Sequence, residues 1–142
     1  MSKEPPARYP NFVVNKHTFT MNTLLWILQG FLALTFAYSG FMKSSQEREK
    51  LVSAGQTGVA NLSYPIIRFI GISELLGAVG ITVPWLTGIL HILTPVSAVC
   101  FAAIMVMAMR IHYRRGEYWS VTLNVLLFAA SVFVAYARFR EI

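Results

Sequence analysis

Apolar positions in this chain gather into long runs, separated by short polar stretches. The first run, Asn22 to Met42, carries no charged residue. At 1.5 Å per residue it would make a helix about 31 Å long, enough to cross a hydrocarbon core about 30 Å thick. From Phe69 to Met109 there is no Lys or Arg, and only Glu74 and His91 interrupt the pattern. A single helix of that length would reach about 62 Å, twice the core, so the segment must fold back on itself. Proline lacks an N–H and clashes with the preceding turn, which makes Pro84 the expected break. The pattern thus predicts spans over 22–42, 65–83, 85–109 and 119–137. The expected fold is all-α, an antiparallel bundle of four transmembrane helices whose second and third members are neighbours.

Four spans would place both chain ends and the Pro84 turn on one side, with the 43–64 and 110–118 loops on the other. Tyr and Trp favour membrane interfaces. Trp26, Trp85 and Tyr136 fall at the first side, and Tyr38, Tyr64, Tyr113, Tyr118 and Trp119 at the second. Basic residues divide too evenly between the sides to set an orientation. Residues 1–20, with Pro5, Pro6 and Pro10, are expected to form an irregular tail before a helical domain over 21–142. Phe12, Val13, Val14 and Phe19 could press that tail onto the membrane surface. A short interfacial helix is expected around Gln46–Leu51, followed by turns at Gly55, Gly58 and Asn61.

Composition supports the same picture. Of 142 residues, 56% are hydrophobic and 13% charged, against about 25% charged in soluble domains. The shortage of charge argues against a water-soluble globule, and the high hydrophobicity excludes a disordered chain. The net charge of +6 is dispersed, with no stripe of basic and aromatic residues, so nucleic acid is not an expected partner. Membrane lipid is, together with a membrane-protein partner or further copies of the chain. One cysteine, Cys100, rules out an internal disulfide framework and a multi-cysteine metal site; it is expected to be a small apolar filler. His91 and His112 would lie about 31 Å apart on one helix, too far to share a metal. There is no glycine-rich nucleotide loop and no Ser-His-Asp pattern. No cofactor is evident and no catalytic residue can be assigned.

Glu74 is the most informative single residue. An acid at bilayer depth costs about 2.5–3.5 kcal/mol on insertion scales, so something must offset it. Lys43 can reach inward on a long stem, and His112 enters from the same side. The expectation is a buried polar cluster of Lys43, Glu74 and His112. It could fix helix register, or serve proton transfer or ligand binding. Small residues at Gly30, Ala33, Ala37 and Gly40, and at Gly71 and Ala78, suit close helix packing in lipid. A semi-polar stripe on the third span runs from His91 through Pro95, Ala98, Ala102 and Met105 to His112. The fourth span contributes Asn124, Phe128, Ser131 and Ala135. Candidate pocket-lining residues are Tyr38, Gly40, Gly71, His91, Met105 and Asn124. Pro95 is expected to kink its helix and free a carbonyl near His91 or Ile92, and Arg138 to anchor the last helix at the interface.

The order and spacing of several segments resemble the DoxX-like family of small four-helix membrane proteins, from about Met21 to Phe139. They are Ser39-Gly40-Phe41-Met42-Lys43, Ile70-Gly71-Ile72-Ser73-Glu74-Leu75-Leu76-Gly77-Ala78, Pro84, Leu93-Thr94-Pro95, and Ala108-Met109-Arg110-Ile111-His112 with Arg114-Arg115-Gly116-Glu117. Asn124 and Tyr136-Ala137-Arg138-Phe139 complete the set. The resemblance implies a four-helix transmembrane bundle, for which a bacterial inner membrane is the expected setting. Its namesakes are linked with quinone-dependent sulfur oxidation and with thiol or oxidative-stress complexes, and distant relatives look like assembly factors or cargo receptors. The expected function is a non-catalytic accessory subunit that binds a hydrophobic ligand or a membrane partner in or beside the bundle. The alternatives are a quinone-linked oxidoreductase subunit and an assembly factor for membrane proteins.

Overall fold

The computed structural model describes residues 16–142, and every regular element among them is helical. Helices α1 (Lys16–Ser45), α3 (Tyr64–Thr87), α4 (Leu93–Arg114) and α5 (Tyr118–Phe139) are long; α2 (Arg48–Ser53) and a 3₁₀ turn (Thr57–Val59) are short. The four long helices are each long and apolar enough to cross a membrane. Of the tail expected over 1–20, residues 1–15, with Phe12, Val13 and Val14, lie outside the described residues. Residues 16–20 already belong to α1, with the Phe19 side chain exposed. The short helix expected near 46–51 is α2, and Gly55 turns the chain after it with a φ of 92°.

The most extensive contacts are α1 against α3 and α4 against α5; α3 meets α4 less extensively, and α1 barely meets α5. Leu25, Leu32, Phe36, Ile81, Ala98, Phe101, Met105, Val134 and Ala135 form the core. Phe36 and Phe101 stack in its centre with ring centroids 3.7 Å apart. The outward faces are rich in exposed Leu, Ile, Val and Phe, as an element surrounded by lipid requires.

The small-residue stripe on α1 acts at only one of the two glycines expected there. A Cβ on Gly40 would lie 2.6 Å from the Gly71 carbonyl oxygen, and one on Gly71 would lie 2.8 Å from the Lys43 Cβ. Nothing lies within 4 Å of the corresponding point on Gly30. The buried face of α1 instead runs through Leu25, Gln29, Leu32, Phe36 and Gly40.

Pro84 does not break the chain. It lies inside α3, which continues to Thr87 and ends where Gly88 adopts a left-handed conformation (φ 73°). Proline removes the N–H that would serve the carbonyl four residues earlier, that of Gly80. Thr94 at the start of α4 supplies the replacement, its hydroxyl donating to the Gly80 oxygen at 3.3 Å. The reversal therefore falls at 88–92, and the third long helix starts at Leu93 rather than at residue 85. Nor does Pro95 kink a helix or release a carbonyl. It sits in the first turn of α4, where helix N–H groups have no internal partner anyway. The carbonyls of His91 and Ile92 accept bonds from the amides of Thr94 and Val96. Cys100 lies on the exposed face of α4 rather than filling its interior, because the inward face runs through Ala98, Phe101, Ala102 and Met105.

Arg138 is buried, 1% exposed, and does not act as an interfacial anchor. Its Nε and Nη2 donate to Gln29 Oε1 at 2.8 and 2.6 Å, and its Nη1 donates to Asn22 Oδ1 and Glu141 Oε2. The guanidinium lies 4.2 Å from the Trp85 ring centroid and 5.6 Å from that of Trp26. Gln29 also donates through Nε2 to the Ile81 carbonyl at 2.6 Å. One polar knot thus ties α1, α3 and α5 together at the end of the bundle where α1 begins and α5 finishes.

Two outcomes follow. Gly40→Ala and Gly71→Ala should each lower the thermal midpoint of the detergent-solubilised bundle, since backbone must move to admit the methyl. Gly30→Ala should leave it unchanged or raise it, by a propensity gain of up to about 1 kcal/mol. Gln29→Leu strands part of a buried guanidinium and should cost about 2–3 kcal/mol, read from the loss of helical circular dichroism in denaturant.

Candidate functional site

The α1–α5 seam is pinned by Arg138 at one end; towards the other end the four long helices leave a cavity of about 370 Å³. Helix α1 lines it with Thr35, Phe36, Ser39 and Lys43, α3 with Ile66, Ile70 and Glu74, and α5 with Ser120, Leu123, Asn124 and Leu127. From α4 come Ile104, Met105, Met107, Ala108, Ile111 and His112. The α1–α3 connection folds over this end as a lid and adds Gln56, Gly58, Val59 and Leu62 to the lining. A small second core of Leu51, Val59 and Ile67, with Met42 and Leu62 against it, seats the lid.

One wall is polar. Lys43 Nζ lies 2.8 and 3.0 Å from the two Glu74 carboxylate oxygens and 2.6 Å from Ser39 Oγ, to which it donates. The carboxylate is 1% exposed and the lysine side chain 12%. The close approach at Gly40 and Gly71 makes this possible, because it brings the two backbones together one turn from each partner. Arg68 donates from Nη1 to the Lys43 carbonyl at 2.7 Å, satisfying one of the oxygens left open at the end of α1.

A second polar group fastens the lid. Thr57 Oγ1 donates to Glu117 Oε2 at 2.6 Å; His112 Nδ1 lies 2.5 Å from the same oxygen, and Arg115 Nε donates to Oε1 at 2.8 Å. Gly58 rests on the His112 ring, where a Cβ would stand 3.1 Å from Nε2. Glu117 lies between the spans of α4 and α5. Its pKa is lowered from 4.5 to about 2, chiefly by the Thr57 hydrogen bond, then by His112 and Arg115. Two side-chain atoms in the lining, Asn124 Nδ2 and Gln56 Oε1, are buried without a hydrogen-bond partner.

Lys43 and Glu74 therefore meet, as a pair. His112 lines the same cavity but is engaged with Glu117, the acid five residues on, rather than with Glu74. Met105 and Asn124 are in the lining. Tyr38 points outward, 62% exposed, because it lies beyond the face carrying Phe36 and Gly40. Gly40 and Gly71 form the helix seam, with no side chains to contribute to a pocket wall. His91 lies in the reversal at the far end, edge-on to Trp85 at 5.0 Å. Reading the sequence did not assign Ser39, Gln56, Thr57 or Glu117 to the site, nor Gln29 to the knot. Ser39 is signalled by its i, i+4 spacing to Lys43. Thr57 and Gln56 are placed by the fold of a loop whose sequence has no periodicity.

The sequence model of the DoxX-like family matches residues 27–134. That range includes Lys43, Glu74, His112, Glu117 and Asn124 and leaves out Asn22 and Arg138. No curated protein and no solved structure matches the chain.

Folding lowers the Glu117 pKa, so its contribution to holding the lid is complete above the ordinary value of 4.5 and is lost as the pH falls towards about 2. Amide hydrogen exchange over 55–62, corrected for the intrinsic pH dependence, should accelerate through that window. Thr57→Val should accelerate it already at pH 7, with the core of α3 and α4 unaffected.

Proposed function

The chain belongs to the DoxX-like family, as a multi-pass integral membrane protein, and on that footing we propose that it is a non-catalytic accessory subunit holding one small, mainly apolar molecule inside its bundle. The cavity carries this reading. Ligand pockets run from about 300 to 1,000 Å³, are mostly apolar, and place a few polar groups to orient what they hold. Here the body of a ligand would lie against Ile104, Met105, Leu123 and Leu127, and its head would face the lid and the Lys43–Glu74 wall. The accessory rather than catalytic role is supported by the titratable groups of the lining. Lys43 and Glu74 engage each other, and His112 is held through Nδ1 by Glu117, so each of the three has a partner within the protein.

A bacterial inner membrane is the proposed setting, since spanning helices rather than a closed barrel build this protein and bacterial outer membranes favour barrels. The proposed topology has both chain ends on one side, supported by the start of α1 and the end of α5 lying at the same end of the bundle.

The test is native mass spectrometry of protein purified in lipid nanodiscs. The wild-type chain should release one non-phospholipid amphiphile per copy, and Leu127→Trp, which fills the cavity, should release none while remaining folded. Equal retention by both would remove the reading. A stoichiometric quinone with its ultraviolet absorbance would instead favour a redox subunit.

A further inference from the structure

Resting on the reading that the cavity holds a ligand, we infer that the Lys43–Glu74 pair makes the site selective for an uncharged head group, of the hydroxyl or carbonyl class. A lysine ammonium has three protons to donate. In this wall all three have acceptors: the two Glu74 oxygens and Ser39 Oγ. An anionic head would have to take Lys43 away from a carboxylate that is 1% exposed, leaving a buried charge without its partner. A cationic head would meet a carboxylate whose charge Lys43 already cancels.

The remaining titratable side chain of the lining already has an anionic partner. His112 Nδ1 is engaged by Glu117, which Arg115 also neutralises. The fully buried polar atoms that the lining leaves unpaired are uncharged: Asn124 Nδ2, a donor, and Gln56 Oε1, an acceptor. Buried polar atoms are seldom left unpaired. A hydroxyl can satisfy either atom, accepting from Asn124 or donating to Gln56, and a carbonyl can accept from Asn124. The site thus pairs an apolar chamber with neutral hydrogen-bonding positions beside a self-neutralised ion pair.

The experiment uses three ten-carbon, diazirine-bearing probes that differ only in their head: alcohol, sulfonate and primary ammonium. The full chain is reconstituted in phosphatidylcholine vesicles, photolysed, and mapped by peptide mass spectrometry. Labelling of the cavity residues Leu123 and Leu127 is divided by labelling of the outward-facing Leu126, which removes differences in membrane partition. For the wild-type chain this ratio should be about tenfold higher for the alcohol than for either charged probe. Glu74→Gln frees Lys43 and should raise the sulfonate ratio; Lys43→Met leaves Glu74 unopposed and should raise the ammonium ratio. The double variant Lys43→Met with Glu74→Gln should return to preferring the alcohol. Equal ratios for the three probes in the wild-type chain, which needs no variant to fold, would overturn the selectivity while leaving cavity binding in place. Cavity residues labelled no more than Leu126 by every probe would overturn cavity binding itself, and the selectivity with it.

Discussion

Gly40 and Gly71 touch through their backbones, and the candidate site depends on that contact. In hydrocarbon nothing drives helices together by excluding water, so attraction between them comes from close packing and from polar groups that find each other. Two glycines at one crossing let α1 approach α3 closely enough for Lys43 to meet Glu74. The same approach aligns Ser39 and the Arg68 bond to the end of α1. A methyl at either glycine would push against backbone, which has no rotamer to escape into. The ion pair follows from the crossing, and the polar wall of the cavity follows from the ion pair.

The other end of the bundle meets the same constraint differently. Arg138 carries a charge into the interior, and its donors are taken up by Gln29, Asn22 and Glu141, with Trp85 and Trp26 beside the guanidinium. Nearby, Gln29 and Thr94 serve carbonyls of α3, at Ile81 and at Gly80. Hydrocarbon offers a buried polar group no water to bond with. Here the satisfying groups come from neighbouring helices, so helix packing and hydrogen bonding are one problem with one solution. That is also why a proline can sit in α3 without ending it.

The two ends then divide the work. The Arg138 knot holds α1 to α5 where those helices otherwise have little contact, and the cavity occupies the opposite end, where α1 and α5 both line it. The lid is seated by its own small core and fastened through Glu117, a carboxylate whose three neighbours favour its charged form. Glu117 touches the lid through Thr57 and the cavity lining through His112. A change in its protonation therefore reaches the covering of the chamber before it reaches the core.

The apolar runs by themselves determined four spanning helices, because length and the cost of unsatisfied backbone in lipid leave a chain of this composition no other arrangement. They also marked Glu74 as an acid in need of a partner and Lys43 as one able to reach it, since both follow from position along a helix. The break assigned to Pro84 did not occur, because a threonine on the next helix replaces the missing hydrogen bond, and no pattern within one helix contains that fact. Gln29 carries no signal in the sequence, and Arg138 reads there as an interfacial anchor, for a related reason. An uncharged glutamine leaves an apolar run intact, and an arginine near a helix end is the same letter whether it meets water or two tryptophans. His112 turned to Glu117 instead of Glu74 because a loop brought a nearer acid to it. Tertiary structure decided which polar groups meet, since that depends on helix rotation and loop path; the number of crossings depends only on how far each oily stretch can reach.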